Sequence, residues 1–175
     1  MSARRRDQRL EIRPLTEQDP EVISAAFTKI GWNKPVAQYQ KYLVEQENGS
    51  RDVLMAFSEG EFAGYVTIEW QSDYAPFREG GIPEVKDLNV LPAYRRRGIG
   101  TSLMDRVEER ISERSNIVGI GVGMYPDYGN AQRMYVLRGY VPDGRGLTHG
   151  CIVLDPMEPT VNDDDLVLFF TKDLR

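Results

Sequence analysis

"YRRRGIGTSLMD", Tyr94 to Asp105, is the stretch on which the reading of this chain turns. Arg95, Arg96 and Arg97 run straight into Gly98, Ile99 and Gly100. From there Ile99, Leu103, Val107 and Ile111 recur every four residues, with charges between them. That spacing predicts an amphipathic helix. The strand-like "EVKDLNVL" precedes it, from Glu84 to Leu91. A strand, a glycine turn and a helix start can together seat an anion. Glycines let a ligand approach the backbone closely, a helix N-terminus offers free N–H groups and the positive end of its dipole, and arginines add charge-assisted hydrogen bonds. The stretch lacks the third glycine of the dinucleotide fingerprint and the Gly-Lys-Ser/Thr of the P-loop. It does carry [RQ]-x-x-G-x-[GA]. Taken alone, it leaves a phosphate seat and a solvated basic turn equally open.

The rest of the composition narrows the classes. At 175 residues and 41% apolar, the chain fits one domain, 1–175, with residues 1–8 as a flexible tail. No apolar run reaches the ~18 residues of a membrane span, and the polar "MSARRRDQRL" lacks the apolar core of a secretory signal. One cysteine, Cys151, forbids an intrachain disulfide and suits a reducing, cytoplasmic setting. Cys151 with the single His149 is too little for a Cys/His zinc site, so no metal is expected. The net charge of −5 argues against nucleic acid as a partner.

Along the chain, "LEIRPLT" alternates as a half-buried strand does. Asp19-Pro20 reads as an N-cap and first helical residue, with Val22, Ile23, Ala26, Phe27 and Ile30 as the stripe that Gly31 ends. A second helix is expected from Pro35 to Gln46, with Val36, Tyr39 and Leu43 inward. "VLMAFSEGEFAGYVTIEW" reads as a hairpin. "QSDYAPFREGGIP" reads as a loop with Tyr74 and Phe77 exposed. "NIVGIGVGMY" reads as a strand whose glycines admit another backbone, "GNAQRMYVLR" as a short helix closed by Gly139, and "LVLFFTKDL" as a late strand. This order predicts an α/β fold with a mixed sheet.

A second signature lies in Tyr128-Gly129-Asn130-Ala131-Gln132-Arg133-Met134-Tyr135-Val136-Leu137-Arg138-Gly139-Tyr140. With the first, it resembles the GNAT superfamily of acyl-CoA-dependent N-acyltransferases, in the form of a small bacterial-type member of unassigned substrate. The resemblance runs from Leu10 to the last strand. It implies the GNAT fold: a central, mostly antiparallel sheet of about seven strands flanked by about four helices, with splayed strands forming the acyl-CoA cleft. It implies acetyl-CoA as acyl donor, with Leu88, Asn89 and Val90 contacting it through the backbone and Arg95, Arg96, Arg97, Gly98, Ile99, Gly100 and Thr101 cradling the pyrophosphate. The N–H near Leu88 would polarise the thioester carbonyl.

By the same resemblance Tyr135 is the candidate general acid, since a phenol can protonate a leaving thiolate. The base stays open between Glu84, where family members carry a catalytic glutamate, and Asp87. Glu69, on the preceding strand, is a further carboxylate nearby, and a water-mediated or absent base is also open. Period-two geometry puts Glu84 and Asp87 on opposite faces, and a bulge near Leu88 would change that. The family's asparagine position holds Tyr128, so either Asn130 takes over its contact or it caps the helix.

The expected reaction is transfer of an acetyl group to a primary amine by direct attack. Trp32, Tyr39, Trp70, Asp73, Tyr74, Phe77 and Asp163-Asp164-Asp165 lie where the family builds its acceptor site, and aromatics with carboxylates suit a small cationic amine. Taken singly, each of them reads more simply as core or solvated loop. The alternatives are a non-catalytic acyl-CoA-binding module, or an acetyltransferase acting on proteins or charged tRNA, for which the arm Arg4-Arg5-Arg6 is short. Whether the chain forms a homodimer stays open.

Overall fold

The structure, a computed structural model, describes residues 9–175. The expected tail, 1–8, and the arm Arg4-Arg5-Arg6 lie outside the described residues. Among those described, eight strands and five α-helices follow in sequence. They are β1 (Leu10–Pro14), α1 (Asp19–Thr28), α2 (Val36–Glu47), β2 (Arg51–Ser58), β3 (Glu61–Glu69), α3 (Ala75–Gly80), β4 (Glu84–Val90), α4 (Ile99–Ser112), β5 (Ile117–Gly123), α5 (Gly129–Leu137), β6 (Val141–His149), β7 (Ile152–Val153) and β8 (Leu166–Asp173). The strands hydrogen-bond in the order β1-β2-β3-β4-β5-β8-β6-β7. Strands β4 and β5 run parallel; β1/β2, β5/β8, β6/β8 and β6/β7 run antiparallel. The predicted mixed sheet is present, with β8 inserted between β5 and β6. No described helix is long and apolar enough to cross a membrane.

The chain forms two compact units. One runs through Ile68 and takes in Asp87–Val107; the other holds Glu69–Lys86 and Glu108–Arg175. In the first, the β2–β3 hairpin turns at Glu59-Gly60, both at positive φ (52° and 87°), the two-residue geometry whose twist matches the strands. Helices α1 and α2 bury Ile23, Phe27, Tyr39 and Tyr42 against Val53, Met55, Phe62 and Tyr65. Of the predicted α1 stripe, Ile23 and Phe27 are fully buried, whereas Val22 is 47% exposed. In α2 the inward pair is Tyr39 and Tyr42, and Tyr42 was not expected from the spacing. Asp19 does not cap α1 in the expected manner. Its carboxylate accepts from Thr16 N and Oγ1 at 2.7 and 2.8 Å, and from both Arg13 amino groups at 2.7 and 2.8 Å. The helix start is thereby tied back to β1.

In the second unit the expected loop around Tyr74 and Phe77 contains α3, and both rings are buried at 0% and 1% exposure. Tyr74 stacks on Phe169 at 3.8 Å, and Phe77 meets both rings edge-on. The reason lies in β5. Gly119, Gly121 and Gly123 alternate, so they share a face, and each lacks the Cβ that would strike a neighbouring side chain. The clash would be with the Phe77 ring at Gly119, with Val167 Cγ1 at 2.8 Å at Gly121, and with the Tyr128 ring at Gly123. These glycines admit side chains, not the second backbone that the sequence suggested.

Glu108 ties the end of α4 to the α5–β6 connection and to β8. It accepts from Arg138 Nε at 3.1 Å, Lys172 Nζ at 2.8 Å and Tyr140 Oη at 3.1 Å. Burial alone would raise its pKa, but the bonds from Arg138 and Lys172 hold it below the usual carboxylate range. A depressed folded pKa gives stability that is present above the unfolded value and lost as pH falls. Glu108→Gln should therefore lower stability by about 2 kcal/mol near neutral pH and flatten the acid side of a stability–pH curve measured by denaturant unfolding. Gly119→Ala, which drives a Cβ into the Phe77 ring, should cost about 1–3 kcal/mol in the same assay.

Candidate active site

In the first unit, β4 loses its extended backbone at Asp87, where φ is +54°. The predicted irregularity near Leu88 is thus present one residue earlier. Tyr42 Oη donates a short hydrogen bond to Asp87 Oδ2, and Asn89 Nδ2 donates to the Asp87 carbonyl at 3.0 Å. Leu88, Asn89 and Val90 follow, half-buried. Leu91 N returns to the Ala63 carbonyl at 2.9 Å, and Gly64 gives the Asn89 carbonyl the space a Cβ would fill.

The arginine stretch comes next. Arg95 Nε donates to the Val90 carbonyl at 3.1 Å, so one of its donors pins the turn to β4. Arg96 is left-handed at φ +60°, and Gly98 at +80°. Arg97 lies over the Tyr94 ring at 5.4 Å. All three arginines are exposed, while Ile99 is buried and anchors the first turn of α4. Ser102 N donates to the Gly98 carbonyl at 2.9 Å, which starts the helical series. The N–H groups from Gly98 to Thr101 therefore have no partner within the helix. Three exposed guanidinium groups and a left-handed glycine thus lie beside the first turn of α4.

In the second unit, Glu84 opens β4 and is 3% exposed. Registered pairing of β4 with β5 covers only Glu84↔Gly119 and Val85↔Ile120. The Glu84 carboxylate accepts a short hydrogen bond from Ser72 Oγ, and Lys86 Nζ stands 4.0 Å away. Lys86 is closer to Glu69 Oε2, at 2.7 Å, and also faces Asp73 at 3.8 Å. Burial pushes the Glu84 pKa from its ordinary 4.5 up to about 6; Lys86 and Ser72 oppose the rise, while Glu69 and Asp73 add to it. Neither Ser72 nor Lys86 was singled out by sequence reasoning. Both bear on the proton of Glu84, and Ser72 carries no sequence signal.

Tyr135 lies in α5, 5% exposed, its ring edge-on to Tyr140 at 5.8 Å. Burial alone raises its pKa, so the phenol keeps its proton. Among the described residues its hydroxyl has no hydrogen-bond partner. Asn130 is the second residue of α5 and exposed, so it is not the N-cap; that position is Tyr128. Tyr128 Oη donates to Asp164 Oδ1 at 2.8 Å, beside a short bond from Tyr125 to the same oxygen. Of the acceptor candidates, Tyr39, Tyr74 and Phe77 are core residues. Trp32 stacks on Phe27 at 5.7 Å, and Trp70 lies under the Arg114 guanidinium at 4.2 Å. Asp163 faces His149 at 3.0 Å, Asp165 donates its N–H back to Asp163, and Asp164 is held by the two tyrosines. Asp73 has its side chain 80% exposed.

Comparison with known proteins gives the class to which this mixed α/β fold belongs. The model of the acetyltransferase (GNAT) family matches residues 15–140, and the chain belongs to that family. An uncharacterized N-acetyltransferase of Archaeoglobus fulgidus is 31% identical over 95 residues, which span 53% of this chain and 59% of that protein. Among solved structures, a GNAT-family protein from Desulfovibrio desulfuricans superposes with a TM-score of 0.72 at 12% identity, covering 95% of this chain and 100% of its own. The yncA protein of Salmonella typhimurium, solved with its cofactor acetyl-CoA, gives 0.68 at 16% identity, covering 95% and 94%. The ribosomal-protein-alanine N-acetyltransferase of Brucella melitensis gives 0.68 at 19% identity, covering 93% and 99%. At these identities the structures show a shared fold.

A carboxyl group with a raised folded pKa stabilises only while it is protonated. Its contribution is complete below the unfolded value and is lost as pH rises through the folded one. Wild-type stability should therefore drop by about 2 kcal/mol between pH 4.5 and pH 7 on account of Glu84. Glu84→Gln should remove that step in denaturant titrations run at the two pH values.

Proposed function

We propose that this chain is an N-acetyltransferase that moves an acetyl group from acetyl-CoA to the primary amine of a small molecule, by direct attack within a ternary complex. The observation that carries this reading is Glu84: a buried carboxyl with a pKa near 6, held by Ser72 and flanked by Lys86. Such a group is ionised at neutral pH yet basic enough to take a proton from the acceptor nitrogen so that the amine can attack. The anion seat fits the donor. Exposed Arg95, Arg96 and Arg97, Gly98 in the left-handed region and the free N–H groups at the start of α4 suit a pyrophosphate. Acetyl-CoA supplies an activated thioester carbonyl.

The chain's own residues do the rest. Backbone groups of Leu88, Asn89 and Val90 align the pantetheine arm, as an added strand would. The N–H near Leu88 steadies the negative charge that develops on the carbonyl oxygen. Glu84 removes the amine proton. Asp87 is the second candidate base, but its carboxylate is already engaged by Tyr42. Tyr135, buried and still protonated, gives its proton to the departing sulfur. Burial keeps the phenol protonated and makes it a weaker acid, so the transfer is driven by the negative charge that builds on the sulfur as the C–S bond breaks. Asn130 adds a polar contact to the cofactor from the first turn of α5. The exposed Asp73 and a net charge of −5 favour a cationic acceptor.

The test is a panel of small amines with thiol-release detection, beside calorimetric binding of acetyl-CoA. Turnover of an amine is the expected result; binding without turnover of any amine would leave only a cofactor-binding module. Glu84→Gln and Tyr135→Phe should each lower kcat/KM by about 100-fold or more. The kcat/KM profile should rise with pH through about 6, following Glu84. Ser72→Ala removes a bond that favours the carboxylate, so its midpoint should move upward.

A further inference from the structure

Asp87 is, among the described residues, the only non-glycine strand residue with a positive φ. A left-handed residue within a strand redirects the N–H groups that follow it, so those directions are only as well defined as the break itself. The break is held on two sides. Asn89 Nδ2 grips the Asp87 carbonyl at 3.0 Å, and Tyr42 Oη grips its carboxylate.

Tyr42 is itself fixed. Its hydroxyl accepts from Gln38 Nε2 at 3.2 Å while donating to Asp87. Tyr39 meets its ring edge-on at 5.9 Å. The Arg51 guanidinium covers that ring at 4.4 Å, and Arg51 is held by Glu45 at 2.5 Å and Thr67 Oγ1 at 2.8 Å. Helix α2 and strand β2 thus bring a rigid donor to one point of β4. Beyond that point the segment is tied at Leu91 to Ala63 and at Val90 to Arg95.

We infer that Tyr42 is a positioning residue for the acyl donor: by clamping the Asp87 carboxylate it fixes the backbone break in β4, and with it the directions in which Leu88 and Asn89 present their N–H groups to acetyl-CoA. The inference rests on the reading of Leu88–Val90 as the cofactor-binding edge. It gives Asp87 a role that needs no proton transfer. It also accounts for an acid at this position, since aspartate and asparagine tolerate the left-handed region better than other residues with a side chain.

The test compares acetyl-CoA affinity with stability in the full chain. Calorimetry gives Kd, steady-state assay gives KM and kcat, and thermal unfolding gives Tm, for wild type, Tyr42→Phe, Asp87→Gly, Asp87→Asn and the double variant Tyr42→Phe/Asp87→Gly. Tyr42→Phe should raise Kd for acetyl-CoA about tenfold, with KM following. Asp87→Asn, which can still accept from Tyr42 and adopt the same φ, should hold Kd nearer to wild type than Asp87→Gly does. The double variant should bind no worse than Asp87→Gly, because both changes remove one clamp. Unchanged Kd in Tyr42→Phe, whatever its Tm, overturns the inference and leaves Tyr42 as packing. If Tyr42→Phe does not fold, equal Kd for Asp87→Gly and Asp87→Asn overturns it instead. A wild-type chain that binds no acetyl-CoA overturns the functional reading, and this inference with it.

Discussion

The hydrogen bond from Tyr42 to Asp87 sits where strand β4 changes character. Before it, Glu84 and Val85 pair in register with β5. At Asp87 the backbone turns left-handed, and from there the strand belongs to the compact unit built around α1, α2 and the β2–β3 hairpin. A phenol shielded from water forms a strong, charge-assisted bond with a carboxylate. Burial raises the Tyr42 pKa, and the neighbouring Asp87 charge raises it further, so Tyr42 remains a donor. The same charge adds to the rise at Tyr39, which reaches about 12. Three tyrosines, Tyr39, Tyr42 and Tyr65, thus lie within the field of one carboxylate and keep their protons under it.

The other carboxylate of β4 is managed in a different way. Burial raises the Glu84 pKa, and Ser72 and Lys86 oppose that rise. Lys86 divides its charge among Glu69, Asp73 and Glu84, and only the nearest, Glu69, is within close ion-pair distance. A full ion pair with Glu84 would pull its pKa down. Two acids three residues apart on one strand thus acquire separate chemistry from what packs on them.

Much of this was legible in the chain, and the exceptions share a cause. The Glu59-Gly60 turn, the α4 stripe and the close of α5 at Gly139 are set by neighbours in sequence, and they lie where local rules place them. The arginine–glycine turn that opens α4 was legible for the same reason. The glycines of β5 were visible, but what they make room for comes from α3, β8 and the turn at Tyr128, far along the chain. Tyr74 and Phe77 looked exposed because their polar surroundings in sequence hide Phe169, which covers them in space. Tyr42 shares the buried face of α2 with Tyr39, a spacing that could have marked it as core. Its bond to Asp87 spans 45 residues, and no periodicity carries that.

The bare face of β5 has a further consequence for how the second unit becomes ordered. Glycine has little intrinsic preference for a strand and loses the most backbone freedom on entering one. Gly119, Gly121 and Gly123 therefore cannot hold β5 in place by themselves. Its surface is borrowed from Phe77, Val167, Phe169 and Tyr128. The strand becomes persistent only once those side chains have docked, so slow amide exchange along β5 reports the assembly of the aromatic cluster and not merely the pairing of strands. A segment that reads as the weakest strand in the chain is thus the one whose order depends most on everything around it.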